Sequence, residues 1–240
     1  MVSVCIPTYN GEKFILQQLQ SILSQLQQND EIIISDDSST DNTINIIKSF
    51  NDKRIVILEN NKFYSPVFNV ENALKYAKGD FVFLSDQDDI WVDIKVEKML
   101  KYLLDYDLVI SNASIIDSNE NVITESYFSW KNSGKGFWKN FYKNTYIGCA
   151  MAFNRKMLEL ALPFPKKIAM HDIWIGLLAE AKGKVFFLDE KLLLYRRHEN
   201  NVTYSITKTN NTLSDNTLFY KLNYRFSILF NIVIRLLRKN

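Results

Sequence analysis

An α/β fold built on a mixed, mostly parallel central sheet flanked by helices is what this amino-acid sequence predicts. Two observations carry that expectation. Short apolar runs rich in Val and Ile alternate, over residues 1–111, with segments whose apolar residues recur every three or four positions, the pattern of β-α units laid down in a doubly wound sheet. The first, second and fourth of these runs end in polar clusters, Pro7-Thr8-Tyr9-Asn10, Asp36-Asp37 and Asp86-Gln87-Asp88-Asp89, and the carboxyl ends of strands in an open sheet line the ligand crevice.

Residues 2–6 form an apolar run stopped by Pro7, and from Phe14 onward Ile15, Leu16, Leu19, Ile22, Leu23 and Leu26 share a helical face. Residues 31–35, with Ile32-Ile33-Ile34, read as a second buried strand, and 43–50, with Ile44, Ile46 and Ile47 in helical phase, as a second helix with Ser39 or Asp41 as its cap. Residues 55–58 are a third strand, 70–77 a helix closed by Gly79, and 81–84 a fourth strand running into the acidic cluster. A helix follows Trp91 to about Leu104, then a strand at 107–111. The polar, turn-rich stretch 112–144 resists assignment. Beyond it, 148–153 reads as a strand, 172–181 as a helix, and 184–188 and 192–195 as the last strands of the core.

The chain has 240 residues, 47% of them hydrophobic, enough for one sizeable core near the upper limit of a single domain. The expected organisation is a domain over 1–205, in two halves at 1–111 and 112–205, followed by a tail at 206–240. Lys and Arg number 29 against 27 Asp and Glu, so charge supplies no reason to invoke nucleic acid. The positive balance is a C-terminal feature, since Lys221, Arg225, Arg235, Arg238 and Lys239 come with no acid. Cys5 and Cys149, each in an apolar stretch, read as reduced core thiols rather than a disulfide or a metal cluster, which fits a cytosolic compartment. The first residues lack the charged and long apolar regions of a secretory leader. Residues 218–237 are aromatic and aliphatic but broken by Lys221, Arg225 and Arg235, too interrupted to span a bilayer. They form an amphipathic helix expected to lie on the inner face of the plasma membrane, with Phe226, Leu229, Phe230, Val233, Leu236 and Leu237 on its apolar side and Arg225, Arg235, Arg238 and Lys239 meeting anionic headgroups. The alternatives are packing on the domain or a subunit contact.

Acids gathered on one rim repel unless a cation or hydrogen-bond donors offset them. Mg²⁺ or Mn²⁺ takes hard oxygen ligands, commonly one or two carboxylates together with substrate phosphates. Asp86 and Asp88, two residues apart, face one side of an extended segment, so an ion there would bridge protein and diphosphate. Taken alone, Asp-x-Asp-Asp is common in turns and Asp36-Asp37-Ser38-Ser39 is a good helix start; their ordered recurrence at successive strand ends is what points to a site.

These residues resemble a known group, the GT-A glycosyltransferases of family 2, inverting enzymes, and among them the bacterial rhamnosyltransferase-like members. The likeness rests on residues 2–11, 35–43 and 77–91, the last with Ser85-Asp86-Gln87-Asp88-Asp89-Ile90-Trp91, and on Gly148-Cys149-Ala150-Met151-Ala152-Phe153-Asn154, His171-Asp172-Ile173-Trp174 and Tyr195-Arg196-Arg197-His198. It covers about residues 1–205. The resemblance implies a GT-A, Rossmann-like fold and a UDP- or dTDP-sugar donor, with Tyr9 and Asp37 holding the base and Pro7, Thr8, Asn10 and Glu12 shaping its pocket. It implies Asp86 at the ribose or the metal, Asp88 as principal ligand of Mg²⁺ or Mn²⁺, Asp89 in support, His198 at the metal or diphosphate, and Asp172 as the base that takes the acceptor's proton, with His171 the other candidate. The expected reaction is transfer of a sugar, plausibly rhamnose, to a hydroxyl of a lipid-linked or oligosaccharide acceptor. Two departures stand out: Ser38 where relatives usually have Gly, and Tyr64-Ser65-Pro66 in a loop where a Gly is common. A nucleotidyltransferase is the first rival, although residues 7–12 lack the Gly-rich basic loop it needs; a non-catalytic carbohydrate-binding protein is the second.

Overall fold

A computed structural model describes residues 1–198 and 216–238. The first half follows the sequence pattern closely: β1 (Val2–Thr8), α1 (Ile15–Leu23), β2 (Glu31–Asp36), α2 (Thr43–Ser49), β3 (Ile55–Leu58), α3 (Pro66–Tyr76) and β4 (Phe81–Leu84). Their strands pair in parallel in the order β3-β2-β1-β4, with Val4 opposite both Ile32 and Phe83. Every residue of β2 is buried, as expected of a strand covered on both faces. The helix predicted from residue 70 begins earlier, at Pro66, whose fixed φ and missing N–H suit a first helical turn. Ser39 does not cap α2. Nor does Asp41: the N-cap is Asn42, and Asp41, one residue before it, accepts at Oδ1 from the N–H of Thr43 (3.0 Å).

The second half is β5 (Ile90–Trp91), α4 (Lys95–Leu103), β6 (Leu108–Ile116), β7 (Val122–Thr124), α5 (Tyr127–Lys131), α6 (Phe137–Tyr142), β8 (Met151–Asn154), α7 (Arg155–Ala161), α8 (His171–Lys182), β9 (Val185–Arg196) and α9 (Asn216–Arg238). The full sheet runs β3-β2-β1-β4-β8-β6-β9-β5, with β7 beside β6. β8 is antiparallel to both β4 and β6, and β5 is antiparallel to β9, while β6 and β9 run parallel. The sheet is therefore mixed: its all-parallel block ends at β4, and β6 and β9 form a second parallel pair beyond it.

Several sequence expectations are corrected here. Residues 148–150 form a 3-10 turn, so the strand predicted at 148–153 begins at Met151. The stretch 112–144 contains the end of β6, all of β7, and helices α5 and α6. The two short strands expected at 184–188 and 192–195 are one continuous strand, β9, whose pairing with β6 shifts register around Asn112. Asn112 fills that irregularity: its amide donates to Asp189 Oδ1 (2.7 Å) and Ser126 Oγ (2.9 Å), and its Oδ1 accepts from the N–H of Phe128 (3.0 Å).

Helix α9 packs on the domain rather than standing away from it. Ile228 and Ile232 are buried. Arg225 donates to the carbonyl of Tyr142, and Arg235 to those of Leu160 (2.7 Å) and Leu162 (2.8 Å) while lying over the Trp174 ring. These two arginines face the domain, which corrects the expectation that they meet headgroups: buried backbone carbonyls next to a helix are satisfied by whatever donors it brings. The outward stripe is Phe226, Phe230, Val233 and Leu237; Leu229 and Leu236 are part-buried. The side chains of Lys221, Arg238 and Lys239 lie outside the described residues. Among the described residues no helix is long and apolar enough to cross a membrane.

Candidate active site

The turn after β1 and the loop after β2 are sewn together by side chains. Thr8 Oγ1 donates to Asp36 Oδ2 (2.9 Å), the Asn10 N–H to Ser39 Oγ (2.9 Å) and the Glu12 N–H to Asp41 Oδ2 (3.1 Å). In return Asn10 Oδ1 accepts from the Thr40 N–H (2.9 Å) and Glu12 Oε2 from the Asn42 N–H (2.9 Å). Asn10 and Glu12, expected to shape a base pocket, thus spend their side chains fixing the neighbouring loop. Asn10 also has φ 48°, a backbone state that Asn tolerates better than most residues. Pro7 is part-buried within β1, and Tyr9 is 57% exposed, its ring free of the core. Asp37 is buried; its Oδ1 accepts from the N–H of Phe63 (2.6 Å) and its Oδ2 from that of Ser65 (3.3 Å), so residues 61–65 wrap around this carboxylate. Ser38, and Tyr64 in the loop 61–68, have positive φ, 62° and 49°, a backbone state that Gly adopts without steric cost. Ser38 offsets the strain by donating to the carbonyl of Asn61 (2.6 Å).

The acidic loop after β4 bends at Gln87 and Asp88, so the alternation expected of an extended segment does not hold. Asp86 groups with Asp89 and Cys149, whose ligand atoms lie within 4.8 Å of one another. Asp88 instead turns to His198, with Oδ2 2.8 Å from Nε2. Enclosure by protein, and then the charge of Asp88, push the Asp86 carboxyl up to about 7. Burial followed by the same neighbours raises Asp89 as well. Asp89 Oδ1 accepts from the Arg196 N–H (2.9 Å), whereas its buried Oδ2 has no hydrogen-bond partner among the described residues. Lys95 is fully buried beneath these acids. Its Nζ donates to the carbonyl of Cys149 (3.2 Å) and lies 4.7 Å from the centre of the Trp91 ring, and burial brings its pKa down to about 8.

Gln87 clasps the first turn: its Oε1 accepts from the Tyr9 N–H (3.0 Å) and its Nε2 donates to the Tyr9 carbonyl (3.0 Å). A Cβ at residue 11 would collide with that amide, which is why Gly11 stands there. On the far side Arg196, 1% exposed, donates through Nε to the carbonyl of Asp88 (2.8 Å) and through Nη2 to Gln17 Oε1 (2.9 Å). It lies over the ring of Phe14, which is tilted against the His198 ring with centroids 5.0 Å apart.

The opposite wall comes from α8. His171 and Asp172 are buried in its first turn; Asp172 is not the N-cap, which is Met170. Asp172 Oδ2 accepts from Asn144 Nδ2 (3.0 Å) and Oδ1 from the Ile173 N–H (2.6 Å). Burial raises its carboxyl above the usual range and lowers the pKa of His171. A Cβ at Gly148 would sit 2.5 Å from His171 Nε2, so that glycine admits the imidazole. The charge of Asp172 is felt at Asp86, so the two carboxyls lie within electrostatic reach of each other. Trp174, two residues beyond Asp172, is fully buried, its Nε1 donating to the carbonyl of Ala161 (3.0 Å).

Residues 3–161 match the family described as Glycosyl transferase family 2. A UDP-Glc:α-D-GlcNAc-diphosphoundecaprenol β-1,3-glucosyltransferase of Escherichia coli is 30% identical over 75% of this chain and 70% of its own length. The chain belongs to glycosyl transferase family 2. A dTDP-rhamnosyl transferase of Shigella flexneri is 32% identical over 81% of this chain and 72% of its own. The fold is that of S. aureus TarS residues 1–349, solved with UDP-GlcNAc: TM-score 0.65, 22% identity, 83% of this chain and 59% of that one.

Within this family 2 domain, four residues of the cleft escaped sequence reasoning. Lys95 opens a helix whose pattern shows only an ordinary exposed cation, Gln87 and Arg196 sat inside quoted motifs without a role, and Cys149 read as plain core. Only the tertiary contacts distinguish them. A buried Lys that feels the charges of Asp86 and Asp89 is a counter-charge, since an isolated ammonium would not stay in the interior.

Proposed function

We propose that this glycosyltransferase moves a sugar, with inversion, from a UDP- or dTDP-sugar to a hydroxyl of a lipid-linked surface glycan. The observation that carries the reading is the Asp88 and His198 pair, 2.8 Å apart, beside Asp86 and Asp89 of the same loop, with Asp172 within electrostatic reach of Asp86. The donor set suits a hard divalent ion: carboxylate oxygens and one imidazole, with the orphaned Asp89 Oδ2 behind them. Asp88 and His198 would hold Mg²⁺ or Mn²⁺, and Asp86 would face the ion or the ribose. A bound ion would neutralise charge on the departing diphosphate. Tyr9 offers its exposed ring to the base and Asp37 its carboxylate, while Pro7, Thr8, Asn10 and Glu12 keep that turn in shape. Asp172 takes the proton of the acceptor hydroxyl as its oxygen attacks the anomeric carbon and the bond to the diphosphate breaks. Its raised pKa makes it a stronger base than a solvated carboxylate, and Asn144 orients it. The expected outcome for Asp172→Asn is donor binding unchanged by calorimetry and transfer lowered by about two to four orders of magnitude; retained transfer would move the base elsewhere.

Rhamnose is the sugar we favour, on the likeness to the dTDP-rhamnosyl transferase; a panel of nucleotide sugars, read by released nucleoside diphosphate, tests it. The outward stripe of α9 supports a peripheral place on the inner face of the plasma membrane. Phe226→Asp with Phe230→Asp is expected to abolish co-sedimentation with anionic vesicles, and unchanged binding would remove the tail from that role.

A further inference from the structure

Helix α6 carries two rings that the domain leaves uncovered. Trp138 is 68% exposed and Tyr142 74%, and four residues apart they share one face of the helix. Lys139 and Lys143 are exposed beside them, one turn apart, with the Lys143 N–H donating to the Lys139 carbonyl (2.9 Å). The inner face is firmly mounted. Asn140 is fully buried, its amide donating to the Gly134 carbonyl (2.9 Å) and to Glu180 Oε1 (3.3 Å), and Glu180 also accepts from the Gly136 N–H (2.9 Å). Phe137 and Phe141 meet the Trp138 ring edge to face, with centroids 5.1 and 5.8 Å away, so packing fixes its outward setting.

Helix α9 joins this face. Arg225 donates to the Tyr142 carbonyl and its Cζ lies 4.9 Å from the centre of the Tyr142 ring, which puts α6 beside the outward stripe of α9, where Phe226 and Phe230 stack with centroids 6.5 Å apart. Neither segment brings an acid: residues 127–147 and 216–240 contain no Asp or Glu. Aromatic rings interleaved with lysines and without carboxylates match an anionic bilayer surface, where Trp and Tyr settle at headgroup level and lysines meet lipid phosphates. A two-fold contact with a second copy would instead press like-charged faces together. The mount also leads to the base side of the cleft. Asn140 Oδ1 accepts from Thr145 Oγ1 (2.6 Å), and between them in the chain Asn144 donates through Nδ2 to Asp172 Oδ2 (3.0 Å).

We propose that Trp138 and Tyr142, with Lys139 and Lys143, seat α6 in the headgroup layer of an anionic bilayer as a second contact beside α9, so that the segment holding Asp172 adjoins a membrane-seated helix. The proposal rests on the reading above that the protein works at a membrane surface.

The protein's own tryptophans supply the test. Of the four, Trp91 and Trp174 are buried, so Trp130→Phe leaves Trp138 as the exposed indole. In that variant, vesicles of brominated phosphatidylglycerol and phosphatidylcholine quench the fluorescence, and adding Trp138→Phe removes the quenching. Trp138→Ala with Tyr142→Ala weakens co-sedimentation with the unbrominated vesicles by at least about tenfold at an unchanged melting temperature; Lys139→Gln with Lys143→Gln does so by about tenfold and serves if the aromatic variant unfolds. Vesicle binding without quenching of Trp138 overturns the proposal and leaves α9 as the membrane element, whereas no binding by the wild type overturns both readings. Quenching that survives Phe226→Asp with Phe230→Asp keeps α6 at the bilayer and withdraws α9. Equal binding to phosphatidylcholine alone overturns the anionic surface, and a lipid-free dimer in sedimentation velocity that Trp138→Ala with Tyr142→Ala dissolves gives the face to a second copy and overturns the proposal.

Discussion

Tyr64 shows what the backbone state of a single residue costs. It is 84% exposed, sits at φ 49° and makes its neighbours' N–H groups available to Asp37. A side chain in the left-handed region costs roughly 1–2 kcal/mol, partly returned by the unfolded-state entropy that Gly would lose. Tyr64→Gly is therefore expected to raise stability by about 0.5–1 kcal/mol in urea unfolding, with nucleotide affinity as the readout of whether the residue was retained for the pocket. Ser38→Gly, by contrast, also removes the hydrogen bond to the Asn61 carbonyl, so its gain is smaller. No pattern in the sequence reveals φ, and the two departures became interpretable only with the backbone in view.

Among the elements, α9 carries the clearest expectation. Ile232 is 2% exposed against the domain, so Ile232→Ala should cost about 2–4 kcal/mol and should free the helix to proteolysis at lower denaturant than the wild type; cleavage at the same denaturant would mean that α9 is not docked. The amphipathic character of this helix was legible, but not which side meets the domain, because Arg225 and Arg235 read as solvent-facing until their carbonyl partners are seen. The first four strands and three helices were legible within a few residues, since buried parallel strands announce themselves as runs of Val and Ile. Residues 112–144 were not: α5 and α6 are five and six residues long, too short for a 3.6-residue period to emerge, and β7 is a three-residue edge strand with two exposed positions.

For the molecule as a whole, the buried acids link stability to pH and to metal. With Asp86 raised to about 7 and Asp89 raised as well, the folded state keeps protons that the unfolded chain has lost above about pH 4, so these groups lower stability as pH climbs towards 7. His171, depressed by burial, works in the opposite sense near pH 6. Lys95, at about 8, adds to stability with rising pH only above that value. An ion must displace protons from the carboxyls at low pH, so Mn²⁺ should raise the melting temperature more at pH 7.5 than at pH 5 by scanning fluorimetry, and Asp88→Asn should abolish most of the rise; equal shifts at both pH values would contradict the site. The convergence of three strand ends was legible from topology alone, whereas the split of Asp86 from Asp88 was not, because it depends on a bend at Gln87. That same glutamine has a mechanical consequence. Its amide grips the main chain of Tyr9 at both donor and acceptor, so the turn after β1 and the loop after β4 are joined by one short strut, and neither can shift without loading the other.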